Sequence, residues 1–195
     1  MTERAATRRV VFLDRDGVIN RAIVRAGKPY PPTALTELEI LPGVPDALVR
    51  LKAAGFRLIV VTNQPDVARG TQTRAEVEAM HAALQAQLPL DEIRVCYHDS
   101  RDGCMCRKPQ PGMLLAAAQE HELDLSAGAS YLIGDRWRDI EAGQRAGCTS
   151  LFIDYHYAEP QPPEPCVRVA SLAEAADWIL TGEKNADENG ERVRD

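Results

Sequence analysis

Short apolar runs alternate along most of this chain with segments in which apolar residues recur every three or four positions. A short continuous apolar run is typical of a buried strand, whereas the longer spacing is typical of an amphipathic helix. Both kinds of segment are bounded by Gly, Pro and polar residues, which favour turns. The predicted strands cover residues 10–13, 57–61, 93–96, 130–133 and 149–153, and the predicted helices cover residues 42–54, 74–87, 111–120 and 139–146.

Capping signals set the starts of two helices. Thr73 and Glu76 have the spacing of a capping box at the start of the second predicted helix. Ser171 and Glu174 repeat this spacing and predict a last short helix. The residues after that helix are polar, charged and without periodicity, so we expect them to be disordered. The sequence therefore predicts one domain over residues 1–181 and a disordered tail over residues 182–195.

The alternation of strands and helices indicates a parallel sheet with helices on both faces, because right-handed strand-helix-strand units pack in that way. We predict an α/β fold with a three-layer, doubly wound, Rossmann-like parallel sheet. Ligands of such sheets bind outside the carboxyl ends of the strands. Residues 20–41 and 65–92 are too few to form a separate cap domain, so we expect an open site without a large cap.

Composition limits the classes of partner. The 195 residues are 45% hydrophobic, which is enough for one core, and a net charge of -6 argues against nucleic acid. An odd count of five cysteines argues against a disulfide framework and favours a reducing compartment. The first nine residues lead into an apolar run too short for a signal peptide or a membrane span. We expect a cytoplasmic monomer that binds neither nucleic acid nor a membrane.

A cluster of thiols and one imidazole indicates a metal site in the loop 96–106. Cys96, His98, Cys104 and Cys106 lie within eleven positions, and three cysteines with one histidine are a common ligand set of closed, tetrahedral zinc sites. The alternative is a group of buried or oxidisable thiols. Because Arg107 and Lys108 follow directly, the metal is also expected to hold a loop of an active site.

Polar residues follow four of the predicted strands. Taken singly, each of these segments has a structural explanation as a turn or a helix cap. Together they stand at strand ends that meet at one edge of a parallel sheet, so they predict one pocket. The four segments are residues 14–17, 62–64, the metal loop with Lys108, and residues 134–139. They supply the carboxylates, the cation and the hydrogen-bond donors that phosphoryl transfer to an aspartate requires.

These four segments resemble the four motifs of the haloacid dehalogenase superfamily. The matching stretches are DRDGVIN at 14–20, VVTNQ at 60–64, C-x-H-x5-C-x-C-R-K-P at 96–109 and GDRWRD at 134–139. Their order and spacing, over residues 10–153, are similar to those of its small, capless, zinc-containing phosphatases. Among these the chain most resembles the D-glycero-D-manno-heptose 1,7-bisphosphate 7-phosphatases, with histidinol-phosphate phosphatases as neighbours. The resemblance implies a phosphorylated sugar as substrate, with catalytic Mg²⁺ and structural Zn²⁺.

The resemblance also implies a role for each motif residue. Asp14 would be the nucleophile, and Asp16 would act as general acid and then as general base. Mg²⁺ would be bound by Asp14, by the backbone carbonyl of Asp16 and by Asp135. The remaining catalytic residues would be Thr62 and Asn63, which bind the phosphoryl oxygens, and Lys108, which offsets negative charge.

Substrate recognition is expected from short loops. A planar guanidinium can fork onto a second anionic group, which in a bisphosphate would be the phosphate that is not removed. The expected substrate-binding residues are Asn20, Gln64, Arg69, Arg107 and Arg136.

Two other functions stay open, and one feature departs from the family pattern. The first alternative is a phosphatase for histidinol phosphate or another small sugar phosphate. The second is a catalytically inactive, zinc-stabilised binding protein with the same fold. Pro65 and Asp66 replace the small residues that usually follow this TNQ motif in the heptose bisphosphate phosphatases, so the substrate-facing loop is altered. His81 lies beside the apolar stripe of the second predicted helix, and no chemistry is assigned to it.

Overall fold

A six-stranded parallel sheet forms the centre of the computed structural model, which describes the backbone of residues 9–191 and the side chains of residues 9–182. The strands of the described chain are β1 (Val10–Leu13), β2 (Ile23–Arg25), β3 (Lys28–Tyr30), β4 (Arg57–Asn63), β5 (Glu92–Cys96), β6 (Ser130–Gly134), β7 (Thr149–Ile153) and β8 (Val167–Val169). The helices are α1 (Val44–Ala53), α2 (Arg74–Gln87), α3 (Gly112–His121), α4 (Trp137–Ala146) and α5 (Leu172–Glu191). The sheet order is β5-β4-β1-β6-β7-β8, and every pair in it is parallel.

Helices cover both faces of the sheet, and alternate residues of β1 point to opposite faces. Val11 and Leu13 pack in one apolar cluster with α1 and α5. Val10 and Phe12 pack in a second cluster with α3 and α4. All four side chains are fully buried, as expected for a strand covered on both faces. The predicted fold class, a three-layer doubly wound α/β sheet, is confirmed.

The order of the strands places a ligand crevice next to β1. The chain leaves β1 for β4 and β5 on one side and then crosses to β6 on the other side. At such a reversal the loops after neighbouring strands diverge and leave a crevice at their carboxyl ends. The segments after β1, β4 and β6 therefore surround one space.

Three strands were not predicted from the sequence. Antiparallel β2 and β3 form a hairpin after β1, and β8 adds an edge strand next to β7. The carbonyl of Gly27, at the tip of the hairpin, accepts a hydrogen bond of 2.8 Å from the backbone N–H of Ala158, in the loop after β7. This hydrogen bond joins the hairpin to the loop after β7, and the hairpin is far too small to be a cap domain.

The end of the chain also differs from the prediction. Helix α5 continues from Leu172 to Glu191, where the sequence predicted disorder from residue 182. Residues 1–8 and 192–195 lie outside the described residues. Within the described part, every helix is too short or too polar to pass through a lipid bilayer.

Candidate active site

One cavity of about 230 Å³ lies at the carboxyl ends of β1, β4 and β6. It contains all five residues predicted to be catalytic and three of the five predicted to bind substrate. From the prediction its lining includes Asp14, Asp16, Thr62, Asn63, Lys108, Asp135, Arg69, Arg107 and Arg136. Strand β3 of the hairpin and the following Pro31 form part of its wall. Four separate segments of sequence thus meet around one space, as predicted from the strand ends.

Lys108 is the central cation of this cavity. Its Nζ lies 2.9 Å from Oδ1 of Asp14 and 2.7 Å from Oδ1 of Asp139, and it donates a 2.7 Å hydrogen bond to the carbonyl of Val61. Only 1% of the residue is exposed. Burial alone would lower the pKa of Lys108, but the charges of Asp139 and Asp14 outweigh it and raise the pKa. The lysine is therefore a fixed positive charge beside the predicted nucleophile.

The side chain of Asn63 fixes the backbone of Lys108. Its Nδ2 donates to the carbonyl of Lys108 at 3.0 Å, and its Oδ1 accepts from the N–H of Lys108 at 3.1 Å. The hydroxyl of the neighbouring Thr62 accepts a 2.9 Å hydrogen bond from Gln64, which leaves the hydroxyl hydrogen for a ligand. Asn63 thus joins the end of β4 to the loop that carries the lysine.

Asp14 and Asp135 provide oxygen atoms suited to a hard cation. Both bonds received by Asp14, from Lys108 and from the backbone N–H of Arg15, go to Oδ1, so Oδ2 is free of them. Among the described residues neither oxygen of the buried Asp135 makes a hydrogen bond of normal geometry, although the Tyr157 hydroxyl is close enough to interact. One oxygen each of Asp14, Asp135 and Asp139 lies within 4.8 Å of the others.

The pKa values of these carboxyl groups also indicate that a cation belongs there. Burial raises the pKa of Asp14 to about 6, against the lowering effect of Lys108. Burial and the charge of Asp14 raise the pKa of Asp135 as well. A divalent ion would supply the missing positive charge and stabilise both carboxylates. The donor set of hard oxygens therefore fits Mg²⁺. Ligation by the backbone carbonyl of Asp16 stays a prediction.

Asp16 is held by four hydrogen bonds, and two of them correct the sequence prediction. Asn20 and Gln64 were expected to bind substrate, but both are fully buried and each donates a 2.9 Å hydrogen bond to the Asp16 carboxylate. Arg15 donates the other two, from Nε at 3.1 Å and from NH2 at 3.0 Å. Asn20 and Gln64 are therefore residues that orient Asp16 from behind and not part of the substrate surface.

The arginines of the cavity differ in how far their charge is already neutralised. Arg69 pairs with Asp99 at 2.7 Å and with Asp66 at 3.2 Å. Arg136 pairs with Glu159. Arg107 instead donates to a backbone carbonyl, that of His98, at 3.2 Å. Of the three arginines predicted to bind substrate, Arg107 is thus the one whose charge is least satisfied by the protein.

The four predicted zinc ligands converge beside the cavity. The three Sγ–Sγ distances among Cys96, Cys104 and Cys106 are 3.2, 3.4 and 3.7 Å, and Nδ1 of His98 lies 3.3 Å from Cys106 Sγ and 3.7 Å from Cys96 Sγ. A tetrahedron with Zn–S bonds of about 2.3 Å has edges of about 3.8 Å. Soft sulfur and imidazole donors at these separations fit Zn²⁺.

Several residues of the site were missed from the sequence. Asp139 contacts Lys108 and also accepts a 3.0 Å hydrogen bond from the N–H of Arg136 at the start of α4. Arg138 lines the cavity without an assigned role, and Arg15 lies fully buried beneath it. His81 lies 2.9 Å from Arg15, across 66 positions of sequence. Asp139 and Arg15 were visible inside the matched motifs, whereas no local signal connects His81 to this site.

Comparison with known proteins identifies the family. The chain is 36% identical over 182 residues to the D-glycero-beta-D-manno-heptose-1,7-bisphosphate 7-phosphatase of Escherichia coli strain K12, with 87% of each chain covered. The enzyme of the same name from Helicobacter pylori strain J99 is 32% identical, with 89% of this chain and 98% of that one covered. Residues 105–167 match the HAD-hydrolase-like family model. The chain belongs to the haloacid dehalogenase-like (HAD-like) hydrolases.

A solved structure supports this assignment to the HAD-like family. The crystal structure of D,D-heptose 1,7-bisphosphate phosphatase from B. bronchiseptica, complexed with magnesium and phosphate, has a TM-score of 0.76 and 31% identity to this chain. The match covers 89% of this chain and 99% of that one. The chain is therefore a HAD-like phosphatase, and Mg²⁺ is the cofactor of such phosphatases. An inactive binding protein, the second alternative left open by the sequence, is not supported.

Proposed function

We propose that this HAD-like phosphatase removes the 7-phosphate of D-glycero-D-manno-heptose 1,7-bisphosphate through a phosphoenzyme at Asp14. The observation that carries the chemistry is the Lys108 ammonium, held between Asp14 and Asp139 in a cavity that also contains Asp16 and Asp135. The names of the similar enzymes support the choice of substrate.

The reaction has two displacement steps at phosphorus. A carboxylate oxygen of Asp14 attacks the phosphorus atom, the ester P–O bond breaks, and Asp16 donates a proton to the departing alkoxide oxygen. In the second step Asp16 takes a proton from water as the water oxygen attacks phosphorus. Phosphate is released and Asp14 returns as a carboxylate. Mg²⁺ bound by Asp14, Asp135 and the carbonyl of Asp16 would shield the carboxylates from the phosphate charge.

Lys108, Thr62 and Asn63 have supporting roles in both steps. The Lys108 ammonium is fixed before substrate arrives, so it stabilises the growing negative charge without reorganisation. The Thr62 hydroxyl and the backbone N–H of Asn63 are donors for the phosphoryl oxygens that are not in line with attack. Asn63 also fixes Lys108 through the two side-chain bonds described above.

A second cavity favours a substrate with two phosphates. It has a volume of about 470 Å³ and shares Arg69, Arg107, Lys108 and Arg138 with the first. Arg138 makes no ion pair with any described residue, and its buried Nε has no hydrogen-bond partner there. Burial and the charge of Arg136 lower its pKa. Among the described residues Arg107 and Arg138 therefore have no ion-pair partner, and we propose that they bind the second phosphate of a bisphosphate.

We also propose that Zn²⁺ binds to Cys96, His98, Cys104 and Cys106 as a structural ion. Its expected effect is to fix the loop that carries Arg107 and Lys108. The Gly112 backbone packs so closely on this loop that a Cβ atom there would lie 2.2 Å from the carbonyl oxygen of Met105. The start of α3 thus packs against the zinc loop, and the bound metal would fix the loop through its four ligands.

The setting we propose for this enzyme is a cytoplasmic monomer that acts on a small phosphorylated sugar. Thiolate ligands are preserved in a reducing compartment, which favours the cytoplasm.

The chemistry is tested by Asp14→Asn, with Asp46→Asn as the matched control at an exposed position of α1. We expect Asp14→Asn to lose at least about 10³-fold in kcat, because the amide cannot form the phosphoenzyme, and to keep its thermal stability. Asp46→Asn is expected to match the wild type. Turnover in Asp14→Asn at the wild-type rate would exclude the proposed mechanism.

The substrate is tested by comparing kcat/KM for the heptose 1,7-bisphosphate, the heptose 7-phosphate, histidinol phosphate and hexose phosphates. We expect Arg138→Met to lower the value for the bisphosphate by roughly tenfold, the cost of one charged hydrogen bond, and to leave the 7-phosphate nearly unchanged. Arg50→Met, remote on α1, is the control. Equal wild-type values across the whole panel would contradict the heptose assignment while leaving the phosphatase chemistry intact.

A further inference from the structure

A fully buried guanidinium lies directly behind Asp16. No part of Arg15 is exposed, although it is among the largest and most polar side chains of the interior. A buried charge is costly unless it is paired and fully hydrogen-bonded. Arg15 is paired with Asp16 by a fork onto both carboxylate oxygens, and it makes a third contact, of 2.9 Å, to Nε2 of His81.

The contact with Arg15 defines the state of the His81 ring. Arginine has donors and no acceptor, so Nε2 of His81 must accept and the ring proton must lie on Nδ1. Burial and the positive charge of Arg15 lower the pKa of His81 to about 4, so the ring is neutral at pH 7. A neutral imidazole is therefore available as a fixed acceptor at the end of the arginine.

We propose that Arg15 and His81 are positioning residues that set the orientation of the Asp16 carboxylate for proton transfer to the leaving group. The planar guanidinium fixes the plane of the carboxylate, and His81, on the rigid helix α2, fixes the guanidinium. Asn20 and Gln64 complete the set of donors. This inference rests on the proposed role of Asp16 as general acid. Asp16 would contact the substrate itself, whereas Arg15 and His81 would act only through Asp16.

A structural explanation competes with this one, since the Arg15–His81 contact also ties α2 to the loop after β1. The two explanations predict different results with different leaving groups. Loss of stability alone would slow all substrates equally. A misplaced acid would slow esters of basic alcohols, whose alkoxide needs a proton, far more than p-nitrophenyl phosphate, whose leaving group departs without one.

The test is a series of phosphate monoesters with leaving groups of graded pKa, measured as kcat/KM. This ratio covers the steps up to release of the alcohol and excludes hydrolysis of the phosphoenzyme. We expect His81→Leu to lower kcat/KM about tenfold for alkyl esters and less than about twofold for p-nitrophenyl phosphate, a part of the 10²- to 10⁴-fold effect of general acids. The plot of log(kcat/KM) against leaving-group pKa becomes steeper.

Two variants report on the hydrogen bonds themselves. His81→Gln keeps an acceptor near the position of Nε2 and is expected to restore the wild-type slope. Arg15→Lys keeps the charge but loses the fork, so it is expected to steepen the slope as His81→Leu does. His121→Leu, which removes a histidine at the end of α3, is the matched control and should leave the slope unchanged.

An equal loss for all esters in His81→Leu, or no loss, would overturn the inference. If His81→Leu does not fold, Arg15→Lys and His81→Gln are compared instead. A steeper slope in Arg15→Lys than in His81→Gln supports the inference, and equal slopes overturn it. Asp16→Asn separates this inference from the proposed function. An unchanged slope in Asp16→Asn means that Asp16 is not the acid and that the proposed function fails at this residue. A steeper slope in Asp16→Asn but not in His81→Leu means that only the positioning role is wrong.

Discussion

Gly17 shows how closely the backbone approaches the acidic residues of the site. Its φ of +87° lies in the left-handed region, and a Cβ atom there would lie 1.9 Å from Oδ2 of Asp135. Any side chain at position 17 must therefore displace the carboxylate of Asp135, whose two oxygens make no hydrogen bond of normal geometry among the described residues. Position 17 of this chain therefore requires glycine for a steric reason as well as a conformational one.

The Gly17→Ala variant is expected to weaken magnesium binding specifically. The half-saturating Mg²⁺ concentration should rise roughly 10- to 100-fold, the range seen when the support of a metal ligand is lost. Gly128→Ala is the matched control, because its φ of +89° has the same strain and no atom lies within 4 Å of the added Cβ. The left-handed backbone alone should cost each variant about 1–2 kcal/mol of stability. Equal Mg²⁺ dependence in the two variants would contradict the steric explanation.

The sequence predicted which loops form the site but not the directions of all their side chains. The motif positions were sufficient to predict which loops converge, because the carboxyl ends of parallel strands share one edge. They were not sufficient to predict the directions of the Asn20 and Gln64 side chains, which turn inward to Asp16. The contact between His81 and Arg15 depends on the packing of α2, which periodicity cannot place relative to the loop after β1.

At the scale of elements, the predictions succeeded where the signal is local. The capping box of α2 forms as predicted, with reciprocal bonds between Thr73 and Glu76, and the helix begins at the next residue. The hairpin was missed because its strands have three residues each, are mostly exposed, and include Pro29, a residue that sequence patterns assign to loops. Short exposed strands bury too little apolar surface to leave a periodic pattern.

Helix α5 gives a prediction about the end of the chain. Its described apolar contacts lie in its first half, where Leu172, Ala175, Ala176 and Ile179 are buried. A chain ending at Gly182 should therefore unfold within about 0.5 kcal/mol of the wild type, whereas Ile179→Ala should cost about 2–5 kcal/mol. Urea denaturation measures both. A large loss on truncation would mean that residues 183–195 contribute to the fold, against the prediction of a dispensable tail.

At the scale of the whole molecule, the two proposed metal sites lie at the same edge of the sheet but depend on the sheet differently. Asp14 and Asp135 follow β1 and β6, whose residues are all buried and whose backbones are fixed by the core. The Cys/His cluster instead lies mainly in a loop with a single short 3-10 turn, Ser100–Asp102. The fold therefore positions the proposed magnesium ligands, whereas the proposed zinc ion would stabilise its own loop.

This difference predicts that removal of the two metals has different effects. Loss of Mg²⁺ should remove activity alone, whereas loss of zinc should also lower the stability of the fold. Dialysis into Mg²⁺-free buffer should abolish turnover reversibly and change the melting temperature little. Cys106→Ser, which removes one zinc ligand, should lower the free energy of unfolding by several kcal/mol, since structural zinc contributes on the order of 10 kcal/mol in zinc peptides. It should also lower kcat, because Lys108 follows the loop directly.

Cys166→Ser, outside the cluster, is the control for thiol loss. Zinc content, calorimetry and kinetics are measured on each protein, and a Cys106→Ser protein with wild-type stability and rate would refute the structural role of zinc.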